Sequence, residues 1–239
     1  MRNDSLLKRN LMMWAKAYNA HDFIENDPVQ FPRKYMDSQV DAEVSGLLTA
    51  LISFGSRKQI IKKAQELDDM FSGSPSKWLF DENYRIFENN DASFYRTITY
   101  SHLSSWCCVL HALLSHWETI ESALLYAQSQ TATNAHDTLK HLFRFKDNSC
   151  AKRIAMFLRW MVRNDGIVDL GLWHRMSSKD LIIPLDTHVH RMALELGITK
   201  RKTTDIKTAQ EITDYFKTIW PDDPCLGDFA LFGYGVNNK

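Results

Sequence analysis

The sequence predicts an all-α fold of about ten helices, and three observations carry that expectation. The stretch 76–165 contains neither glycine nor proline, and strands need tight turns that these two residues usually supply. Apolar residues recur at helical spacing. In AKRIAMFLRWMVR, Ile154, Phe157, Leu158 and Met161 fall at i, i+3, i+4 and i+7. Capping residues and breakers then bracket the periodic segments where helices should start and stop.

Taken in order, EVSGLLTALISF and KQIIKKAQELDDMF read as two helices joined at Gly55-Ser56-Arg57. Three more fit roughly 104–115, 119–129 and 135–145. The segment AKRIAMFLRWMVR follows. In DTHVHRMALELG, Val189, Met192, Ala193 and Leu196 form the stripe, with Asp186 as N-cap and Gly197 just past the C-cap. In TDIKTAQEITDYFKTIWP the stripe is Ile206, Ala209, Thr213, Phe216 and Trp220, and Pro221 stops it. The last helix is expected to begin at Asp223-Pro224, a cap followed by proline at the first helical position. There is no internal repeat and no low-complexity linker. The chain reads as one helical domain of two lobes, a core lobe of 1–35 plus 165–239 and a second lobe of 36–164.

Composition narrows the class. With 239 residues, 24% charged and 44% hydrophobic, the chain is an ordinary globular protein and neither disordered nor collagenous. Its longest mostly apolar stretch, 44–55, is too short to span a bilayer. The N-terminus, MRNDSLLKRN, lacks the apolar region of a signal peptide, so the expectation is a cytoplasmic protein with no membrane partner. The four cysteines, Cys107, Cys108, Cys150 and Cys225, include no CxxC pair. They fit neither a zinc ribbon nor an iron–sulfur cluster, and read as reduced thiols. Lys+Arg and Asp+Glu balance at 29 each, so a nucleic-acid surface has to be sought locally.

Two constellations carry possible chemistry. The first is Pro184-Leu185-Asp186-Thr187-His188-Val189-His190-Arg191. A carboxylate capping a helix after a proline is fixed in direction, and it can stabilise developing positive charge or orient a water. The plainer alternative makes Asp186 a cap and His188 a surface residue. A metal centre of Asp186, His188 and His190 is disfavoured, because two positions on a helix place the histidines about 200° apart.

The second is the basic segment 140–163, with Lys140, Arg144, Lys146, Lys152, Arg153, Arg159 and Arg163 against one acid, Asp147. On a helix Lys152, Arg159 and Arg163 fall within about 40° of one another, opposite the apolar stripe. Such a face could track a phosphate backbone, or simply be solvated. Lys152 falls in the first turn, where the positive end of the helix dipole disfavours an ammonium and so suits a lysine nucleophile. Between the two constellations lies DGIVDLGLW, whose Asp169 and Trp173 could line a pocket for a planar ring or merely make a compact turn.

The stretch PLDTHVHRMALELGI resembles the V-D-T-H-[VI]-x-R segment of the helix-hairpin-helix DNA glycosylases. That resemblance implies a two-lobed helical fold with Asp186 as catalytic carboxylate. The preceding helix, SCAKRIAMFLRWMVR, looks most like the archaeal 8-oxoguanine glycosylase branch, which makes Lys152 the candidate Schiff-base nucleophile. LLTALISFGSRKQI resembles the helix–loop–helix on the minor-groove side, implying DNA contacts for Arg57 and Lys58. DFALFGYGV resembles the final core helix. Nearly the whole chain also looks like a bacterial family without assigned activity that carries the same DLGLW, PLDTHV and DFALFG blocks.

The resemblance further implies a monomeric repair enzyme on double-stranded DNA, needing neither cofactor nor metal. It would take an extruded base into a pocket between its lobes. Phosphate contacts would come from Arg153, Arg159, Arg163, Lys200, Arg201 and Lys202, and Trp160, Asp169, Trp173 and His188 would line the base pocket. Two departures stand out. The hairpin signature L-P-G-[VI]-G is absent before Lys152, where the chain reads DNSCA, and there is no terminal cluster loop. The competing expectation is a non-catalytic member of the same fold that binds nucleic acid or a protein.

Overall fold

In a computed structural model, which describes residues 2–237, the chain is all-α: thirteen α-helices, two short 3₁₀ turns and one two-stranded hairpin. It divides into two compact units, one of Met1–Glu25 with Phe145–Lys239 and one of Asn26–Arg144. These cuts come earlier than the expected ones after residues 35 and 164, and the helix that carries Lys152 therefore shares a unit with Asp186.

The first unit opens with α1 (Arg2–Tyr18) and α2 (Asp22–Glu25). The second contains α3 (Gln30–Arg33), α4 (Gln39–Ile52), α5 (Arg57–Phe71), α6 (Pro75–Phe80), the hairpin of β1 (Ser93–Tyr95) and β2 (Ile98–Thr99), α7 (Tyr100–Leu114), α8 (Ile120–Gln130) and α9 (Ala135–Leu142). The first unit then resumes with α10 (Lys152–Val162), α11 (Thr187–Glu195), α12 (Ile206–Lys217) and α13 (Leu226–Asn237).

Side-chain caps set most of these starts. Ser38, Thr119, Asn134, Asp186 and Asp205 each accept a first-turn backbone N–H. Thr99 and His102 form a reciprocal capping box at α7. In the second unit α4 is almost wholly buried, and its one interior acid, Glu43, accepts the N–H groups of Ile120 at 2.6 Å and Glu121 at 3.4 Å. A carboxylate so placed satisfies orphan donors of α8 and meets the positive end of its dipole.

The core of the first unit gathers Leu11 and Ala15 of α1, Ile183 and Leu185 before α11, Val189, Met192 and Ala193 of α11, Ile212 and Phe216 of α12, and Ala230 and Leu231 of α13. Helix α13 runs against α1, and the imidazole of His188 rests on Gly235, where a Cβ would come within 2.5 Å of Nε2.

Two expectations need correction. The stretch free of glycine and proline does contain strands, because non-glycine residues supply its reversals. Glu82, Asn89, Arg96, Arg144 and Ala151 all adopt positive φ there, and Arg96 at φ 54° turns the hairpin. The last helix begins at Leu226 and not at the Asp223-Pro224 pair. Asp223 does not cap it, since both its carboxylate oxygens accept from Arg163 Nε at 2.8 and 3.0 Å.

Candidate active site

Helix α10 starts from an unusual cap. Ala151 lies in the left-handed region at φ 40°, ψ 53°, and no side chain caps the helix from that position. The loop before it is held by three contacts. Ser149 Oγ accepts the Ala151 N–H at 3.0 Å, Asn148 O accepts the Ile206 N–H at 3.1 Å, and Cys150 Sγ donates to Leu185 O at 3.2 Å. The last contact ties the residue two before Lys152 to the residue before Asp186.

The result is that Lys152 Nζ lies 3.4 Å from Asp186 Oδ2. Asp186 divides its oxygens between two tasks. Oδ1 accepts the N–H groups of His188 and Val189, both at 2.9 Å, and so caps α11, while Oδ2 faces the amine. Neither side chain is buried: Lys152 is 28% and Asp186 37% exposed, so a reacting atom can approach. His188 is half-buried, and its Nδ1 lies 3.3 Å from an Arg191 guanidinium nitrogen.

Further along α10 the surroundings change. Arg159 and Arg163, expected on a surface stripe, are 3% and 1% exposed. Asp169 joins them, accepting from Arg159 Nε at 3.2 Å through Oδ1 and from Arg163 Nη1 at 2.9 Å through Oδ2. Arg163 also pairs with Asp165 and Asp223, each at 2.8 Å, and Arg159 pairs with Asp228. Both guanidinium groups lie over the Phe229 ring, at 4.8 and 5.1 Å. Guanidinium groups enclosed by carboxylates in the interior are not placed to meet phosphates, and both leave the DNA-contact set for that reason.

The proposed ring-lining residues are likewise interior. Trp160 is fully buried with its indole N–H unpaired, Trp173 packs edge-on against Phe157 at 5.5 Å, and Asp169 belongs to the arginine cluster. All three belong to the interior and not to a pocket lining. The segment DGIVDLGLW lies along the end of α10, with Leu170 and Gly171 donating to Trp160 O and Trp173 donating to Met161 O. Gly171 sits at φ +63°, and a Cβ there would come within 2.7 Å of Asn164.

The other basic candidates are more accessible. Arg153 is half-buried against the Phe145 ring at 4.8 Å. Lys200 and Lys202 are exposed, whereas Arg201 is held by Asp205 at 2.9 Å and by Thr208 at 2.9 Å. His190 secures that loop, with Nδ1 on Thr204 Oγ1 and Nε2 on Arg201 O, so neither ring nitrogen is left for a metal. In the second unit Arg57 and Lys58 are exposed in the first turn of α5, and Arg57 lies 4.0 Å from Asp27.

Asp228 is the site residue that sequence reasoning missed. Burial pushes its carboxyl up to about 6, and the charges of Asp186 and Asp169 add to that, while Arg159 and Lys152 pull the other way. Four carboxylates (Asp165, Asp169, Asp223, Asp228) meet two guanidinium groups there, an excess of two acids. One of them therefore holds its proton most readily. An aspartate in the first turn of an apolar helix reads in sequence as a dipole partner, and nothing local marks it further.

A family model described as "Protein of unknown function (DUF2400)" matches residues 27–237. The chain belongs to that family, in keeping with its resemblance to a family of unassigned activity. No curated protein and no solved structure matches it. No helix among the described residues is long and apolar enough to cross a membrane.

Proposed function

We propose that the chain is a DNA glycosylase/AP lyase-like enzyme of the helix-hairpin-helix kind, acting on damaged bases in double-stranded DNA, with an oxidised purine as the first substrate to try. The observation that carries this reading is the 3.4 Å approach of Lys152 Nζ to Asp186 Oδ2, in a pair open to solvent. A general-purpose ion pair would serve as well with either residue elsewhere on its helix. Here the amine starts one helix, and the carboxylate oxygen facing it is the one not needed to cap the other.

In this reading the Lys152 ammonium of the pair first gives up a proton to water, and the free amine attacks C1′ of the deoxyribose. The N–C1′ bond forms as the glycosidic bond breaks, and the base departs with that electron pair and takes up a proton. Asp186 Oδ2 faces the positive charge developing on the sugar and carries protons to and from the nitrogen. Ring opening leaves a Schiff base, and loss of a C2′ proton expels the 3′ phosphate. Lys200, Lys202 and Arg153 are the candidate phosphate contacts of the first unit, and Arg57 and Lys58 those of the second; such contacts position a strand without selecting the lesion. His188, beside Asp186, is the remaining candidate for contact with the base.

The test is borohydride trapping with duplex oligonucleotides carrying 8-oxoguanine or an abasic site. The expected result is a covalent adduct that Lys152→Ala abolishes while DNA binding stays near normal. An adduct unchanged in that variant removes Lys152 from the role.

One observation favours a second reading: Asp186 earns its place as a helix cap alone, through Oδ1. A non-catalytic member of the fold, binding nucleic acid or a protein, would keep that aspartate. Steeply salt-dependent DNA binding with no adduct and no strand cleavage selects it.

A further inference from the structure

A second candidate site lies wholly within the unit of Asn26–Arg144. Ser101, His102, Trp106 and Cys108 of α7 line one wall of a cleft of ≈ 800 Å³, and Phe143 and Arg144 at the end of α9 line another. That volume is within the range of sites for small organic molecules.

Its chemistry is mixed in a specific way. The rings of His102 and Trp106, one helical turn apart, lie nearly parallel at 28° with centroids 6.4 Å apart, and both residues line the cleft. The Thr99 N–H donates to His102 Nδ1 at 3.0 Å, so the ring proton sits on Nε2 and is free to donate. Ser101 Oγ is buried and has no hydrogen-bond partner. The lining carries one acid, Glu88, and one base, Arg144. Glu88 lies 3.6 Å from Arg85, which is not part of the lining and also pairs with Glu82 at 2.6 Å, whereas Arg144 carries no ion pair among the described residues. Arg144 is also set at φ 55°, directly after the helix end.

We propose that this cleft binds a small molecule consisting of a planar aromatic ring with an anionic group, the ring against Trp106 and His102 and the anion on Arg144. Two sources share that chemistry, a nucleoside monophosphate and an aromatic carboxylate. The site is independent of the Lys152–Asp186 pair and stands whatever that pair does.

Cys108 provides the readout. It is the exposed thiol, while Cys107, Cys150 and Cys225 are buried, so maleimide labelling of the native protein reports on the cleft wall. Four probes are compared at millimolar concentration: AMP, indole-3-acetate, adenosine and inorganic phosphate. Occupancy slows labelling by 1 + [L]/Kd, and the expected result is slowing of about fivefold or more by AMP or by indole-3-acetate. Whichever of the two protects identifies the source. Adenosine and phosphate are expected to protect far less, and Arg144→Gln to remove the protection. Trp106→Leu, read in the same way, keeps the test open if Arg144→Gln does not fold. Protection by neither ring-bearing anion, equal protection by adenosine, or protection unchanged in both variants overturns the proposal.

Discussion

Helix α10 carries two charge centres that differ in almost every respect. At its first residue, Lys152 meets one carboxylate with both partners open to water. Two to three turns later, Arg159 and Arg163, 3% and 1% exposed, meet four carboxylates, of which Asp169 is wholly buried. The first arrangement contributes little to stability and leaves a nucleophile within reach. The second is costly to assemble and, once assembled, costly to break. The lesson is that charge along a helix face says nothing of its use until burial is known.

The sharpest way to break this contrast is at Asp169. Asp169→Ala removes the carboxylate that joins both buried guanidinium groups, and a loss of about 3–5 kcal/mol in denaturant unfolding is expected. Next comes Asp186→Asn, which keeps an oxygen for the α11 cap but removes the charge facing Lys152. The protein should fold normally, while base release slows by at least about a hundredfold in single-turnover assays. A large fall in melting temperature with unchanged turnover would make Asp186 a cap and nothing more.

A third variant probes where the two centres meet. The Asp228 carboxyl is held up at about 6 from 3.8, so the folded protein keeps this proton more tightly than the unfolded chain does. Its contribution to stability is fully present below the unfolded value and is lost as pH rises through the folded one. Wild type should therefore lose stability relative to Asp228→Asn between about pH 4 and pH 6 in pH-dependent unfolding. Parallel pH profiles for the two proteins would show that the folded protein holds the Asp228 proton no more tightly than the unfolded chain.

The smallest effects fall at the open end. Lys152→Ala should change stability by no more than about 1 kcal/mol, because exposed ion pairs contribute little. Ala151→Gly should stabilise by about 0.5 kcal/mol, since glycine enters the left-handed region without the Cβ clash but loses more freedom on folding. Thermal unfolding of the two variants reads both.

Much of the helical architecture was legible because its signals are local. Asp186 announces its helix by capping, and Gly197 at φ +71° ends α11 where a C-terminal glycine was expected. Helix α1 was not foreseen, since Met12 and Met13 face solvent and its partner α13 comes some two hundred residues later. The hairpin was hidden because Arg96 makes a turn that composition assigns to glycine. The same division applies to the site. Lys152 and Asp186 stand out by their places at helix starts, and the motif resemblance adds their expected roles. The burial of Arg159 and Arg163 depends on Asp165, Asp169, Asp223 and Asp228, and no short window contains all four.

The pairing of α1 with α13 also bears on how the protein is made. A ribosome adding roughly 5–20 residues per second takes on the order of 10–40 s to go from one helix to the other. The intervening Asn26–Arg144 unit is contiguous and has everything it needs to close in that time. Leu11 and Trp14 of α1, by contrast, have no α13 to cover them until that helix has been made. Helix α1 is thus made well before it can find its place, and it is a segment a nascent-chain chaperone would meet uncovered.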